Sequence, residues 1–349
     1  MRVAAVLALL AAAACASSDD NTGATITPTG TGSSTVLPTI PPIEAWILYR
    51  DNQGNLAARD LQSGDLYKQT VDFNEQVIIQ AKCNQVGDQI GYLIQNFSET
   101  FRRIAINGDN APADFIQVSA SVQGFAWSPD GSQIAIGEWD QTTKVATISV
   151  VDVATGEISE LATADRLVAG LDWSPDGSTL AYYLQNLADG TAVIELRDVS
   201  NGEARQPIEN MDFQWIDPAW TPDGESLVLA GLSPTASQLH IADASTGEIT
   251  QLTQDPTIYR RGPQFAPDGS LIAFTGSIIA PQVSAVASSL HQFGIFMLNA
   301  DGTGEFPITV DPRTNPGAGI DTYLDAFLLG WCSDGAWLDD LWALEKATQ

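Results

Sequence analysis

The sequence predicts an all-β fold: a six-bladed β-propeller of four-stranded antiparallel blades, closed by strands from both ends of the chain. Three observations carry the prediction. A motif, WSPDG or a close variant, recurs five times at a nearly constant step. A second motif, Asp-x-x-x-Gly-Glu, travels in register with it. The runs between them are short, apolar and rich in Val, Ile and Thr, with almost no helical spacing.

Aligned on the aromatic residue, the first motif stands at Trp127, Trp173, Trp220, Phe265 and Trp331, with steps of 46, 47, 45 and 66. A degenerate copy, CNQVGDQIG, begins at Cys83, 44 residues before Trp127. That makes six copies, and the long last step holds an insertion of about 20 residues. Periods of 40–50 residues with several short strands each are the mark of propeller blades.

Each motif centre reads as a tight turn. Pro presets φ, Asp hydrogen-bonds nearby backbone amides, and Gly accepts positive φ. The pairs are Asp130-Gly131, Asp176-Gly177, Asp223-Gly224, Asp268-Gly269 and Asp334-Gly335. The second motif starts at Asp60, Asp152, Asp198 and Asp243, again with strand-like runs on both sides. One repeat therefore reads as four strands: the run into Trp127, then Gln133–Glu138, Ala146–Val151 and Glu157–Leu161. The segments AWILYR, NLAARDL and LYKQTV, near the start of the chain, supply the three strands that FLLGWCSDG, near its end, lacks. Joining both ends in one blade removes exposed sheet edges. The terminal AWLDDLWALEK fits either a helix or a strand.

Residues 1–14 read as a signal peptide: Arg2 precedes an apolar run, Val3–Ala14, too short for the roughly 20 residues of a membrane span. Ala12-Ala13-Ala14-Cys15 resembles a bacterial lipobox, with Ala12 where that pattern usually has Leu; the resemblance implies a lipid-anchored Cys15. The alternative is an ordinary Ala-x-Ala cleavage site. Residues 15–42 form a Ser/Thr/Pro/Gly spacer, and residues 43–349 the propeller. The expected location is the bacterial cell envelope, with the membrane reached only through the N-terminal lipid.

The 349 residues carry 15 Lys+Arg against 43 Asp+Glu, a net charge of −28. Such a surface lacks the clustered cations that nucleic acid requires and gains nothing from anionic lipid head groups.

The blades that contain Cys83 and Cys332 are neighbours around the predicted ring, and an exported chain keeps its disulfides. A Cys83–Cys332 bridge would clamp the seam, worth roughly 2–4 kcal/mol; two buried thiols are the alternative.

The pattern F-x-W-S-P-D-G-x-x-I-A followed by D-x-x-x-G-E resembles the repeat of TolB-like β-propellers over residues 45–345 or so. The resemblance implies an exported six-bladed propeller. TolB itself carries a separate N-terminal domain, which the leader and spacer replace here, so the resemblance does not transfer TolB's partner. Pectin-cleaving lyases with this repeat rely on several His, whereas this chain has His240 and His291 alone.

Chemistry is hard to find. Equivalent Asp-Gly turns lie one per blade, well apart, so they read as structure and not as a paired-carboxylate site. There is no Gly-x-Ser-x-Gly elbow, and two His cannot build a multi-His centre. No cofactor is expected; calcium is the metal that the many carboxylates would suit, though no Asp-x-Asp-x-Asp-Gly loop is present. The loops on the face opposite the Pro-Asp-Gly turns hold the departures from the repeat: Arg166, Phe213, Trp215, Tyr259, Arg260, Arg261, Arg313 and Tyr323. Aromatic and Arg clusters mark binding hot spots; the alternative is that each Arg only pairs with a local acid. The functional expectation is a non-enzymatic, monomeric binding module that presents this loop face to an envelope protein. The alternatives are a small-ligand or glycan binder and, behind it, a hydrolase or lyase.

Overall fold

The computed structural model describes residues 45–50, 56–62, 66–69, 76–85, 89–96, 98–108, 116–209, 214–232, 237–278, 293–308 and 327–332. The chain divides into two compact units, and every described residue belongs to the second, Pro41–Gln349. Signal peptide, Cys15 and spacer lie outside the described residues, as do Asp334, Gly335 and the AWLDDLWALEK segment.

Among the described residues, 24 strands form six four-stranded antiparallel sheets, and there is no helix. Strands β1 (Trp46–Arg50), β2 (Leu56–Asp60) and β3 (Leu66–Gln69) come first. Blade 1 follows as β4 (Gln76–Cys83), β5 (Gln89–Asn96), β6 (Phe101–Gly108) and β7 (Ile116–Ser119). Blade 2 is β8 (Val122–Trp127), β9 (Gln133–Asp140), β10 (Val145–Asp152) and β11 (Ile158–Ala164). Blade 3 is β12 (Leu167–Trp173), β13 (Thr179–Gln185), β14 (Ala192–Asp198) and β15 (Ala204–Glu209). Blade 4 is β16 (Gln214–Trp220), β17 (Ser226–Leu232), β18 (Ser237–Asp243) and β19 (Ile249–Gln251). Blade 5 is β20 (Ile258–Phe265), β21 (Leu271–Ile278), β22 (Phe293–Asn299) and β23 (Phe306–Ile308). Finally β24 (Phe327–Cys332) pairs antiparallel with β1, so blade 6 has the order β24-β1-β2-β3. The ring closes through both ends of the chain, as the sequence predicts.

The core sits between blades. Leu93, Ile104 and Ile106 of blade 1 meet Phe125, Trp127 and Ile134 of blade 2. Tyr183, Ile194 and Leu196 of blade 3 meet Trp220, Leu227 and Leu229 of blade 4. Alternation along each strand makes this possible, because one blade offers an apolar set to each neighbour. Each large side chain so buried contributes about 1.5–3 kcal/mol.

The motif aromatic ends the inner strand of blades 2 to 5 and stands next to last in β24, and where it is Trp its indole can stitch the ring. Trp127 Nε1 donates to Lys82 O of the previous blade at 2.9 Å. Trp173 Nε1 donates to Ala126 O at 3.2 Å, and Trp331 Nε1 to Gln264 O at 3.1 Å. In each case the acceptor belongs to the residue just before the motif position of the preceding blade. Trp220 departs from this rule, since its indole N–H has no acceptor among the described residues; at that seam the Trp220 backbone N–H donates to Asp172 Oδ2 at 2.8 Å instead. Phe265 has no indole, and there the Gly262 N–H donates to Asp217 Oδ2 at 3.2 Å. The last seam, where the motif residue is Cys83, is joined covalently: Cys83 and Cys332 form a disulfide, with Cα atoms 5.3 Å apart. Each of the six seams thus has its own link between inner strands.

Candidate functional site

The Pro-Asp-Gly turns are saturated by their own residues. Asp130 accepts the Ser132 N–H at 3.0 Å and the Ser128 hydroxyl at 2.7 Å, while Gly131 at φ 72° donates to Ser128 O at 2.9 Å. Asp176 repeats this with Ser178 and Ser174, and Asp223 with Glu225 N–H and Thr221. Asp268 accepts the Ser270 N–H at 3.0 Å and its hydroxyl at 2.7 Å. Gly177, Gly224 and Gly269 share the positive φ. The hydroxyl bonds from Ser128, Ser174 and Thr221 lead in drawing the Asp130, Asp176 and Asp223 carboxyls below the ordinary range. Asp152, Asp198 and Asp243 are held the same way in the second motif, and Asp243 falls to about 2, with the Ser245 hydroxyl as the largest cause. Among the described residues no group of three His, Cys, Asp or Glu is placed to hold a metal ion. His240 is buried beside Gln238 O at 3.1 Å, and burial lowers its pKa.

The loop face gives a different picture, and one sequence expectation is corrected there. Arg260 is 0% exposed and cannot meet a partner. Its Nε and Nη2 donate to the two Glu305 carboxylate oxygens at 3.0 and 2.7 Å. Its Nη1 donates to the Asp255 and Ile258 carbonyls, both at 2.9 Å. The Ser237 hydroxyl donates back to Arg260 O. Arg260 is a buried junction between blades 4 and 5, because the pleat turns it away from its neighbours Tyr259 and Arg261. The expected loop TIYRRGP is itself the inner strand β20. Tyr259 and Arg261 are half-buried there, and Arg166 is half-buried in the link between β11 and β12. Trp215 falls in β16, but its side chain lies outside the described residues; so do Phe213, Arg313, Tyr323 and His291.

The structure brings together residues that the repeat did not single out. Every inner strand shifts register near its middle; in β12, β16 and β20 the shifts lie between Ala169/Asp172, Ile216/Ala219 and Arg261/Gln264. At the same motif position, three before the aromatic, stand Gly170 (φ 59°), Asp217 (φ 52°) and Gly262 (φ 56°). Gly170 needs its missing side chain, since a Cβ would come within 3.1 Å of Asp217 Cα. Asp217 holds a left-handed backbone that L side chains rarely adopt, a strain that clusters at functional sites. Bulges re-aim side chains, and here they bring Asp217 and Arg261 near the buried Tyr183 of β13. Burial raises the Tyr183 phenol pKa, Asp217 adds to the rise, and Arg261 opposes it.

Nearer the motif end, Lys82 of blade 1 reaches past blade 2 to donate from Nζ to Leu171 O of blade 3 at 3.4 Å. Burial pushes the neighbouring Asp172 carboxyl up in pKa, opposed by Lys82 and by the Trp220 N–H. Lys82 and Asp172 share one motif position, directly before the motif residue, whereas Asp217 and Arg261 stand three and four residues before it.

Comparison with known proteins places this geometry. Residues 166–291 match the TolB beta propeller domain. No curated protein sequence matches the chain. Among solved structures, a protein assigned as TolB in Agrobacterium tumefaciens has a TM-score of 0.57 at 14% identity, covering 75% of this chain and 87% of its own. A chain of the nidogen/laminin complex has a TM-score of 0.58 at 13% identity, covering 82% and 97%. An oligogalacturonate lyase in complex with manganese has a TM-score of 0.53 at 17% identity, covering 73% and 70%. Identities this low report fold alone, and the fold serves both binding proteins and an enzyme. The six closed four-stranded blades make this chain a six-bladed β-propeller, and over residues 166–291 its repeat matches that of the TolB propeller domain.

Proposed function

We propose that the protein is a non-enzymatic binding module of the cell envelope, tethered through Cys15, whose loop face receives a protein partner. The observation that carries this reading is the contrast between the two faces. On the turn face the motif carboxylates are consumed by their own turns. Toward the loop face, the side chains of Tyr259 and Arg261 are half-buried and form no hydrogen bond or ion pair among the described residues. Aromatic and Arg side chains of this kind anchor interfaces. A similar propeller found in a complex of two proteins supports the use of the ring as a platform.

The test is photo-crosslinking in cells with a crosslinker at position 259, followed by mass spectrometry. A single protein captured from 259, lost in Arg261→Glu and absent from a control crosslinker at Gly156 on the turn face, is the expected result. Equal capture from both faces rules the reading out. Labelling with radioactive palmitate that survives Cys15→Ala would remove the tether from it.

A further inference from the structure

The charges of Asp217 and Arg261 are arranged in an unusual way. Asp217 is pinned, because its Oδ2 accepts the Gly262 N–H at 3.2 Å and its backbone is fixed at φ 52°. Arg261 is the residue next to Gly262, yet its guanidinium makes no ion pair with Asp217. Both act electrostatically on Tyr183, so an acid and a base stand near one buried phenol without collapsing onto each other. Elsewhere among the described residues Arg103, Arg197 and Arg260 are each closed by a carboxylate and Arg102 by Gln95 Oε1 and Val122 O, while half-buried Arg166, like Arg261, has no such partner but lacks an acid pinned beside it as Asp217 is beside Gly262. A half-buried guanidinium with no acceptor among the described residues is suited to a ligand that supplies one. Its planar fork matches a carboxylate bidentately. The free oxygen of Asp217 would take an ammonium. A doubly charged phosphate suits the place less well, since Asp217, Asp172 and a net charge of −28 all oppose it.

We propose that the loop-face side of the channel, between blades 3, 4 and 5, is a binding site for a small zwitterion of the amino-acid class, with Arg261 holding its carboxylate and Asp217 its ammonium. The site does not depend on a protein partner, and its test uses none.

Isothermal titration of the purified full chain with L-alanine, L-glutamate, L-lysine and the dipeptide Ala-Ala reads it directly. At least one should bind saturably. Arg261→Gln and Asp217→Asn should each weaken that binding tenfold or more; asparagine at 217 tolerates the positive φ and keeps an oxygen for the Gly262 N–H, so the seam is spared and only the charge is lost. The half-molecules propionate and ethylamine should bind at least tenfold more weakly than alanine. Glu157→Gln, in an exposed turn on the opposite face, should change nothing. Circular dichroism checks that each variant is folded, and Arg261→Lys, which keeps the charge and loses the fork, should fall between wild type and Gln. No saturable binding by any of the four probes overturns the proposal. So does propionate binding as tightly as alanine, or full affinity in both Arg261→Gln and Asp217→Asn.

Discussion

Removing the seam disulfide should destabilise the protein chiefly through its unfolded state. Cys83 and Cys332 are 249 residues apart in sequence. The chain-entropy relation for a loop of that length gives about 5.5 kcal/mol at 25 °C. This is an upper figure, because unfolded chains retain compact structure and measured losses more often lie at about 2–5 kcal/mol. The noncovalent contacts at the seam remain when the bond is cut, since Leu48 and Ala58 of blade 6 still pack on Ile78, Ile90 and Tyr92 of blade 1. The assay is equilibrium urea unfolding followed by Trp fluorescence, on the wild type with and without reductant and on the Cys83→Ala/Cys332→Ala variant. Reduction should lower stability by several kcal/mol and raise the m-value, because an uncrosslinked chain exposes more surface when it unfolds. If reduced and oxidised proteins agree within about 0.5 kcal/mol, against the several expected for so long a loop, the entropic argument is wrong. An unchanged m-value with a large loss would move the cause to the folded seam.

Two further outcomes follow from local geometry. Arg260→Gln strands the Glu305 carboxylate and the carbonyls of Asp255 and Ile258 around a fully buried position, and should cost about 3–5 kcal/mol, seen as a large fall in melting temperature; Arg261→Gln should stay within about 0.5 kcal/mol of wild type. Equal falls in calorimetry would mean that the two neighbours were assigned the wrong way round. Gly156 and Gly247 hold the same motif position at φ 70° and 75°, but a Cβ at 156 meets nothing within 4 Å, whereas one at 247 would lie 1.9 Å from Pro207 O. Gly156→Ala should therefore cost only the left-handed strain, about 1–2 kcal/mol, and Gly247→Ala distinctly more in urea titration; matching losses would refute the packing argument.

The architecture was legible because a turn is needed in every blade, so its residues repeat and act as a ruler. Cys83 superposed on the motif aromatics, and the structure puts a covalent link where other seams use an indole. The inner strand β20 was misread as a loop for an equally physical reason. Gly262-Pro263 looks like a turn, but inside a strand the same residues make a bulge. The signal existed: Gly170, Asp217 and Gly262 occupy one position in three successive repeats, each a residue suited to positive φ. What the sequence could not separate was Arg260 from Arg261. Their difference depends on the pleat and on Glu305, 45 residues away. Lys82 and Asp172 were missed because they gain meaning only when blades 1 and 3 face each other across the ring.

The mixed blade also sets an order of assembly. Blades 1 to 5 each draw four strands from one contiguous segment, so their pairings are local and quick to form. Strands β1 to β3 emerge first during synthesis but must wait for β24, and until then the β1 edge is an open template for a wrong neighbour. The first strands made are the last to be placed. Cys83 waits with them, its partner Cys332 being among the last residues to arrive. Oxidation of that pair is therefore a clock for completion: trapping free thiols during refolding would time the moment at which the circle shuts.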